Sequence, residues 1–383
     1  MQTILLKLII VFVTVMLSYL SQSQNLTKTP IDGDWTGYHE NGSIQEKGSF
    51  ENGQKNGEWS YFFANSQLKE RGKYISGKKN GEWNTYYSNA GINQRCYFQW
   101  DKLEGEKISY YEDGTIKDKS LYKNGVLQDE FTKYYSNGKT QIRGNYTSGD
   151  QEGEWISYYL NEQIESKGSY SKNRKNGEWF SYYETGIIKS KGFYKQGIEE
   201  GLWNYFYPNG ELESSIQFLE GKKDGERRFY YPNGQLEEIV PYINDEETGN
   251  WFKYYDTGQI SEQGKFIQWK KEGEWSYFYK NGNLKEQGSY LLNKKNGIWI
   301  NYFENGNVET KFTFVNGQLN GEAFDFYSDG RIEEKGAYIN DYREGIWTYY
   351  FYIDEEIIES QGTFVHGKKQ NDWKTIKKYE KEK

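Results

Sequence analysis

Cysteine, histidine, methionine and proline are almost missing from this 383-residue chain, at one, two, two and four residues. With Cys96 alone, no disulfide closes within the chain and no thiolate metal site forms. The two histidines, His39 and His366, stand near opposite ends of the sequence, so neither a His-based triad nor a His-based metal site is indicated. Four prolines against 42 glycines mean that glycine turns, not proline, punctuate the chain. The hydrophobic fraction is only 35 %. That is low enough to suggest disorder, yet aromatics reach 19 %, and disordered chains lack them. The two facts meet in a thin structure whose small core is Trp, Tyr and Phe. A net charge of −8 argues against non-specific nucleic-acid binding. No glycine cluster has the spacing of a nucleotide-cradling loop. No cofactor and no enzymatic activity are expected.

What the chain does have is a period. Starting at Gly33 and stepping by 24, the positions are glycine throughout to Gly345, with Asp129 the one exception. Counting that glycine as position 0, the consensus is G-E-W-x-x-Y-Y-x-N-G-x-I-x-x-K-G-x-Y-x-x-G-K-K-N. A repeat of this length marks an array that builds extended binding surfaces rather than one central core. The aromatics do not fall at helical spacings, and glycine interrupts every stretch, so strands are expected.

Asn-Gly at positions 8 and 9, as in Asn41-Gly42 and Asn233-Gly234, signals a two-residue type I′ hairpin. That register sets position 2 opposite position 15, so that Trp59 faces Gly72 and its indole covers the glycine of its own hairpin. The match is imperfect, because Trp203 then faces Ile216 and Trp299 faces Phe312. The second turn reads as a four-residue loop that sets position 17 against the next repeat's Trp. Positions 2, 6, 11 and 17 are expected on one face and the position-5 tyrosines on the other. The expected fold is all-β, an elongated single-layer antiparallel β-meander of hairpin repeats.

These residues resemble the MORN repeat in its bacterial variant form. The matching elements are the aromatic at position 17, the nearby glycine, Gly-Glu-Trp and Tyr-Tyr-x-Asn-Gly, clearest in residues 57–80, 177–200 and 273–296. The resemblance spans nearly all of the chain beyond its N-terminus. It implies an elongated sheet that binds something and no catalytic residues. Chains of this family are commonly labelled antitoxin components, and MORN repeats elsewhere are associated with scaffolding and phospholipid contact.

The N-terminus is different in kind. Residues 1–23 form an apolar run carrying Lys7 and closing on small and polar residues, the layout of a secretory signal peptide. Residues 24–32 read as a polar lead-in, 33–376 as about fifteen repeats and 377–383 as a charged tail. The chain is thus expected to be exported to the periplasm, the outer surface or the medium. The alternative is anchorage by an uncleaved N-terminal segment.

Two surface features are candidate binding sites. One is the outward tyrosine row, Tyr86, Tyr110, Tyr134, Tyr158, Tyr182, Tyr230 and Tyr254, since tyrosine gives rigid contact area with a polar tip. The other is a lysine edge at the long turns, formed by Lys78, Lys79, Lys222, Lys223, Lys294 and Lys295. Its structural reading is a solvated rim that blocks edge pairing, and its functional reading is contact with acidic partners or anionic lipid. The expected partner is another protein, with anionic lipid or an envelope glycan as alternatives and nucleic acid excluded. An antitoxin-like role is the other alternative, and the oligomeric state is open. The lapses at Lys107, Arg227 and Ala323, with the insertion before Phe364, are the first places to look for a partner.

Overall fold

A computed structural model of the chain describes residues 32–353 and 356–379. The expected signal segment and lead-in fall outside these residues, except for Asp32. The described residues hold 33 strands in one open antiparallel sheet, wound as a meander, and no helix. They divide into two compact units, with the boundary between Glu152 and Gly153, and each is built by the rules that follow.

The first repeats set the pattern in β1 (Gly33–Tyr38), β2 (Ile44–Glu51), β3 (Gln54–Phe62) and β4 (Leu68–Ile75). The turn between β1 and β2 is not the expected two-residue type I′ turn. His39 N donates to Ser43 O at 2.8 Å and Gly42 N to His39 O at 2.9 Å, which leaves a three-residue loop. Only position 9 takes a positive φ, 84° at Gly42, 65° at Ser66 and 69° at Ala90, as in a type I turn closed by one left-handed residue. A bulge then skips position 12, because Gly37 pairs with Glu46 while Tyr38 pairs with Ile44. The longer loop and the bulge each displace the register by one residue, in opposite senses. Trp35 therefore still pairs with Gly48, and Trp59 with Gly72.

The type I′ turn lies at the other end of the repeat, where a four-residue loop was expected. Asn52 (φ 51°) and Gly53 (φ 72°) form a two-residue turn closed by Glu51 against Gln54. The pair keeps positive φ even without glycine, as at Gln268-Trp269 and Leu292-Asn293. Bonds to the repeat before hold it there: Leu292 N donates to Glu272 Oε2 at 2.9 Å and Asn293 N to Lys271 O at 3.1 Å. Position 17 consequently pairs with position 22, Phe50 with Lys55, and not with the next Trp. The glycine at position 0 sits at a bulge with positive φ, 75° at Gly57, a conformation that costs other L-residues roughly 1–2 kcal/mol.

Strand alternation sends positions 2, 4, 13, 15, 17 and 22 to one face, the indole face, which carries the core. Trp59, Trp83 and Trp275 are fully buried there. The indole leans across the glycine of the preceding repeat, not that of its own hairpin. A Cβ added at Gly48 would lie 2.3 Å from Trp59, at Gly72 2.2 Å from Trp83, and at Gly192 2.0 Å from Trp203. The indole N–H completes the bond to that repeat: Trp83 Nε1 donates to Lys73 O at 3.2 Å and Trp179 Nε1 to Ser169 O at 3.0 Å. Trp59, Trp83, Trp179, Trp203, Trp299 and Trp347 are therefore staples between repeats.

This shift by one strand removes the mismatches seen in sequence. Trp203 lies on Gly192 and Trp299 on Gly288. From Trp59 onward every position-2 Trp except Trp251 has glycine eleven residues upstream. Edge-to-face contacts with position 17 flank indoles on both sides, as in Phe50–Trp59 at 5.1 Å and Trp59–Tyr74 at 6.1 Å. Such pairs contribute about 0.5–1.5 kcal/mol each beyond area burial.

The last hairpin absorbs the insertion by lengthening. Tyr342–Ile353 and Glu356–Val365 pair from Gly345–Phe364 to Ile353–Glu356 without a bulge. Strand Lys374–Tyr379 pairs against the second of these. Lys377 and Lys378, read from sequence as the start of the tail, lie in this strand and bridge to Glu356 (3.1 Å) and Glu359 (2.8 Å).

Candidate binding surfaces

The indole face is occupied by the protein's own charges. Where position 22 is a cation and a Trp follows, it lies over that Trp: Lys55 Nζ is 3.8 Å from the Trp59 ring, Lys79 Nζ 3.9 Å from Trp83, and Lys271 Nζ 3.8 Å from Trp275; Gln151, Glu199 and Glu247 stand there before Trp155, Trp203 and Trp251. A position-13 carboxylate meets the same cation, in Lys55–Glu46 at 2.9 Å and Lys79–Glu70 at 2.5 Å, and also in Lys295–Glu286. In the second unit Arg343 repeats the motif, 4.1 Å from Trp347 and 2.5 Å from Glu334. A cation over a partly desolvated indole contributes about 1–2 kcal/mol. Burial holds Lys271 and Lys175 below the ordinary lysine range and raises Tyr61, Tyr74 and Tyr277. Aromatic rings already covered in this way present little free area for stacking a ligand.

Adjacent lysines in the second turn are divided between the faces by the same alternation. Lys79 and Lys295 belong to the indole face, with Lys223 Nζ 5.1 Å from Tyr242. Lys78, Lys222 and Lys294 at position 21 are exposed. The six lysines expected as one edge are thus two rows with different tasks.

The opposite face carries positions 1, 3, 5, 14 and 16. Tyr86, Tyr110, Tyr134, Tyr158, Tyr182, Tyr230 and Tyr254 are all half-buried. Their row shares this tyrosine face with position 14: Lys335 Nζ lies 5.5 Å over the Tyr350 ring, and Gln287 Nε2 donates to Tyr302 Oη at 2.7 Å. Burial raises Tyr254, with the Glu226 carboxylate adding and Arg228 opposing. From Lys47 to Lys191 every position-14 residue is Lys or Arg, and from Asp34 to Glu178 every position-1 residue is Asp or Glu. The surface is therefore striped with both signs of charge, and an exposed pair joins the stripes at Arg71–Glu58, 3.6 Å.

Two ladders along the first turn escape sequence reading. The position-6 tyrosine hydroxyl donates to the position-5 carbonyl of the next repeat: Tyr87 to Tyr110 O at 2.6 Å, Tyr183 to Phe206 O at 2.8 Å, Tyr231 to Tyr254 O at 2.8 Å. His39 stands in the same ladder, its Nε2 3.0 Å from Phe62 O. The position-8 asparagine caps its own turn and reaches the next repeat, Asn41 Oδ1 accepting from Ser43 N and Asn41 Nδ2 donating to Ala64 O, both at 3.0 Å. The sequence signal was the recurrence of Tyr-Tyr-x-Asn in most repeats, which first read as a strand end and a turn.

The lapses at position 2 are repacked core. Ala323 is buried against Phe312, which occupies the glycine site, so large and small have exchanged places. Arg227 lies 4.2 Å from the Phe229 ring. Lys107 follows Cys96, whose buried thiol is raised by desolvation and lies 3.6 Å from Trp83 O, as an inert structural thiol does. Trp251, the exception, donates instead to Glu238 Oε1 at 2.8 Å. At Asp325, burial and the Glu334 carboxylate beside it raise the acid to about 7, against Arg343. Among the described residues no group of acidic, His and Cys side chains is arranged to hold a metal.

The described residues thus form a tandem array of antiparallel β-hairpins, a repeat protein. The MORN repeat variant model matches residues 31–52, 55–76, 103–124, 151–172, 175–196, 199–220, 223–244, 247–268, 271–291 and 295–316. These segments cover more than half of the chain, which therefore belongs to the MORN repeat variant family. No curated protein matches it. Two solved structures are aligned, a TcdB2–TccC3–Cdc42 complex and the Tc holotoxin pore of Photorhabdus luminescens. Each is 10 % identical with a TM-score of 0.16, over 95 % and 90 % of this chain. The chain spans 24 % and 22 % of those chains' lengths, and likeness at that score carries no argument.

Proposed function

We propose that the chain is an exported, non-enzymatic scaffold that binds another protein along its tyrosine face. The observation that carries this reading is the asymmetry of the two faces. The indole face is filled by its own Lys–Trp–Glu contacts, while the tyrosine face presents a periodic row of half-buried phenols beside both signs of charge. Tyrosine rows of this kind give contact area at low entropic cost. Export rests on the composition of residues 1–23 alone. The test is affinity capture from the native envelope fraction with the mature chain and with a Tyr182→Ser, Tyr230→Ser, Tyr254→Ser variant. A stoichiometric protein retained by the first and lost by the second supports the reading; retention by both removes the tyrosine face from it. Recovery of anionic lipid or glycan in place of protein would favour the exposed lysines Lys78, Lys222 and Lys294. Recovery of a toxin would favour the antitoxin-like reading.

A further inference from the structure

Position 18 is the last residue before the two-residue turn. It lies on the tyrosine face opposite position 21, as Leu219 lies opposite Lys222. In the second unit this position is Ser171 and Lys195 in the first two repeats and then aliphatic in successive repeats: Leu219, Ile243, Ile267, Leu291, Val315 and Ile339, then Val365 beyond the insertion. Each of these aliphatic residues is between 42 % and 54 % exposed, and none belongs to a buried cluster. The first unit has Glu51, Ile75, Gln99, Lys123 and Thr147 at the same place, so neither the turn nor the fold demands an aliphatic residue there. A regular exposed apolar row with no part in the core marks an interaction surface.

We propose that this row docks an extended segment of a partner protein, in the polyproline II conformation, with an apolar side chain at every third residue and acidic residues between. The proposal rests on the reading of the tyrosine face as the binding face. The period selects the conformation. Successive repeats are two strands apart, about 9.6 Å. Polyproline II returns to the same face after three residues, about 9.3 Å. An α-helical heptad advances about 10.5 Å. Over six steps the first stays within about 2 Å of register, while the second drifts by about 5 Å. Charge selects the intervening residues: position 21 across the row carries Lys222, Lys270, Lys294 and Lys368 against the single acid Glu246, with Gln318 and Tyr342 uncharged, all exposed. The turn apices are polar at Asn244-Asp245 and Asn340-Asp341 but carry the exposed Trp269 and Leu292 at two others, so the vesicle arm of the test separates a bilayer from a peptide. A second copy would set lysine against lysine.

The test is fluorescence anisotropy of the full chain with labelled peptides of seven and of three Leu-Pro-Glu units. Controls are a scramble of the longer peptide and its lysine-for-glutamate counterpart. The variant is Ile243→Ser, Ile267→Ser, Leu291→Ser, Val315→Ser, whose far-ultraviolet spectrum and Tm should match the parent because all four residues are exposed. The seven-unit peptide should bind at least tenfold tighter than every control, and at least tenfold weaker to the variant. Equal binding of the scramble, equal binding to the variant, or no binding overturns the proposal. So does a dimer that the variant converts to monomer, or pelleting with phosphatidylserine vesicles that only the parent shows. Capture of a protein partner that survives the four substitutions would remove this row and leave the broader function standing.

Discussion

Gly72→Ala should cost far more than a glycine-to-alanine change in a strand normally does, and the cost should belong to Trp83. An alanine usually stabilises a strand relative to glycine, by a few tenths to about 1 kcal/mol. Here the new methyl would stand 2.2 Å from Cδ2 and 2.4 Å from Cε2 of Trp83, far inside contact distance, so the indole must move. Moving it disturbs the 3.2 Å bond from Nε1 to Lys73 O, the 5.0 Å edge contact with Tyr74 and the 3.9 Å seat of Lys79 Nζ. Overpacking contributes about 1–3 kcal/mol and the lost hydrogen bond about 1 kcal/mol, giving an expected loss of roughly 3 kcal/mol. Urea unfolding of the full chain, followed by circular dichroism and by tryptophan emission, measures it. The decisive arm is a double-mutant cycle. In a Trp83→Ala background the cost of Gly72→Ala should fall below about 0.5 kcal/mol, whereas in a Trp59→Ala background it should persist. A loss tied to Trp59, the partner within the same hairpin, would refute the staple between repeats.

Four further outcomes follow from the structure. Phe312→Gly and Ala323→Trp should each destabilise singly, by about 2 kcal/mol or more for a cavity or an overpacked core, and largely rescue each other when combined, as read by denaturation midpoints. Tyr183→Phe should cost about 1 kcal/mol by removing a rung of the hydroxyl ladder, while Lys78→Glu should stay within about 0.5 kcal/mol and Lys79→Glu exceed it clearly, because only the latter side chain lies on an indole. Asp325 has its folded pKa raised from 3.8 to about 7. Its charged form therefore opposes folding, with no penalty below the unfolded value and a penalty that grows as pH rises through this window. Asp325→Asn should match the parent near pH 4 and exceed it in thermal stability at pH 8, and equal stability at both pH values would contradict this placement.

The 24-residue period carried the all-β hairpin array, because glycine at fixed intervals and aromatic runs too short for helices leave few other folds. Details of register were less legible. Asn-Gly implied a type I′ turn, but asparagine is kept at position 8 for its side chain, which bonds the next repeat. The true type I′ turn uses residues as unlike turn formers as Gln268 and Trp269, held by backbone bonds to the repeat before. The register expected for each hairpin holds, as in Trp59 opposite Gly72, but the indole covers a different glycine. Register alone does not choose between them, since Gly72 faces Trp59 and Trp83 alike, and the side chain leans to the strand before. Of the candidate sites, the tyrosine row lies on the face opposite the indoles as expected, yet the lysine edge splits because adjacent residues alternate faces. The position-6 and position-8 ladders were hidden because they connect repeats, and a consensus shows only what one repeat contains.

The account turns on which face meets the partner. Hydroxyl-radical footprinting of the full chain, alone and with the protein it captures, reads this directly. The account predicts protection at Tyr182, Tyr230 and Tyr254, with Trp179, Trp203 and Trp275 unreactive in both states because they are buried. Protection confined to the tryptophans on binding, with the tyrosines unchanged, would contradict it.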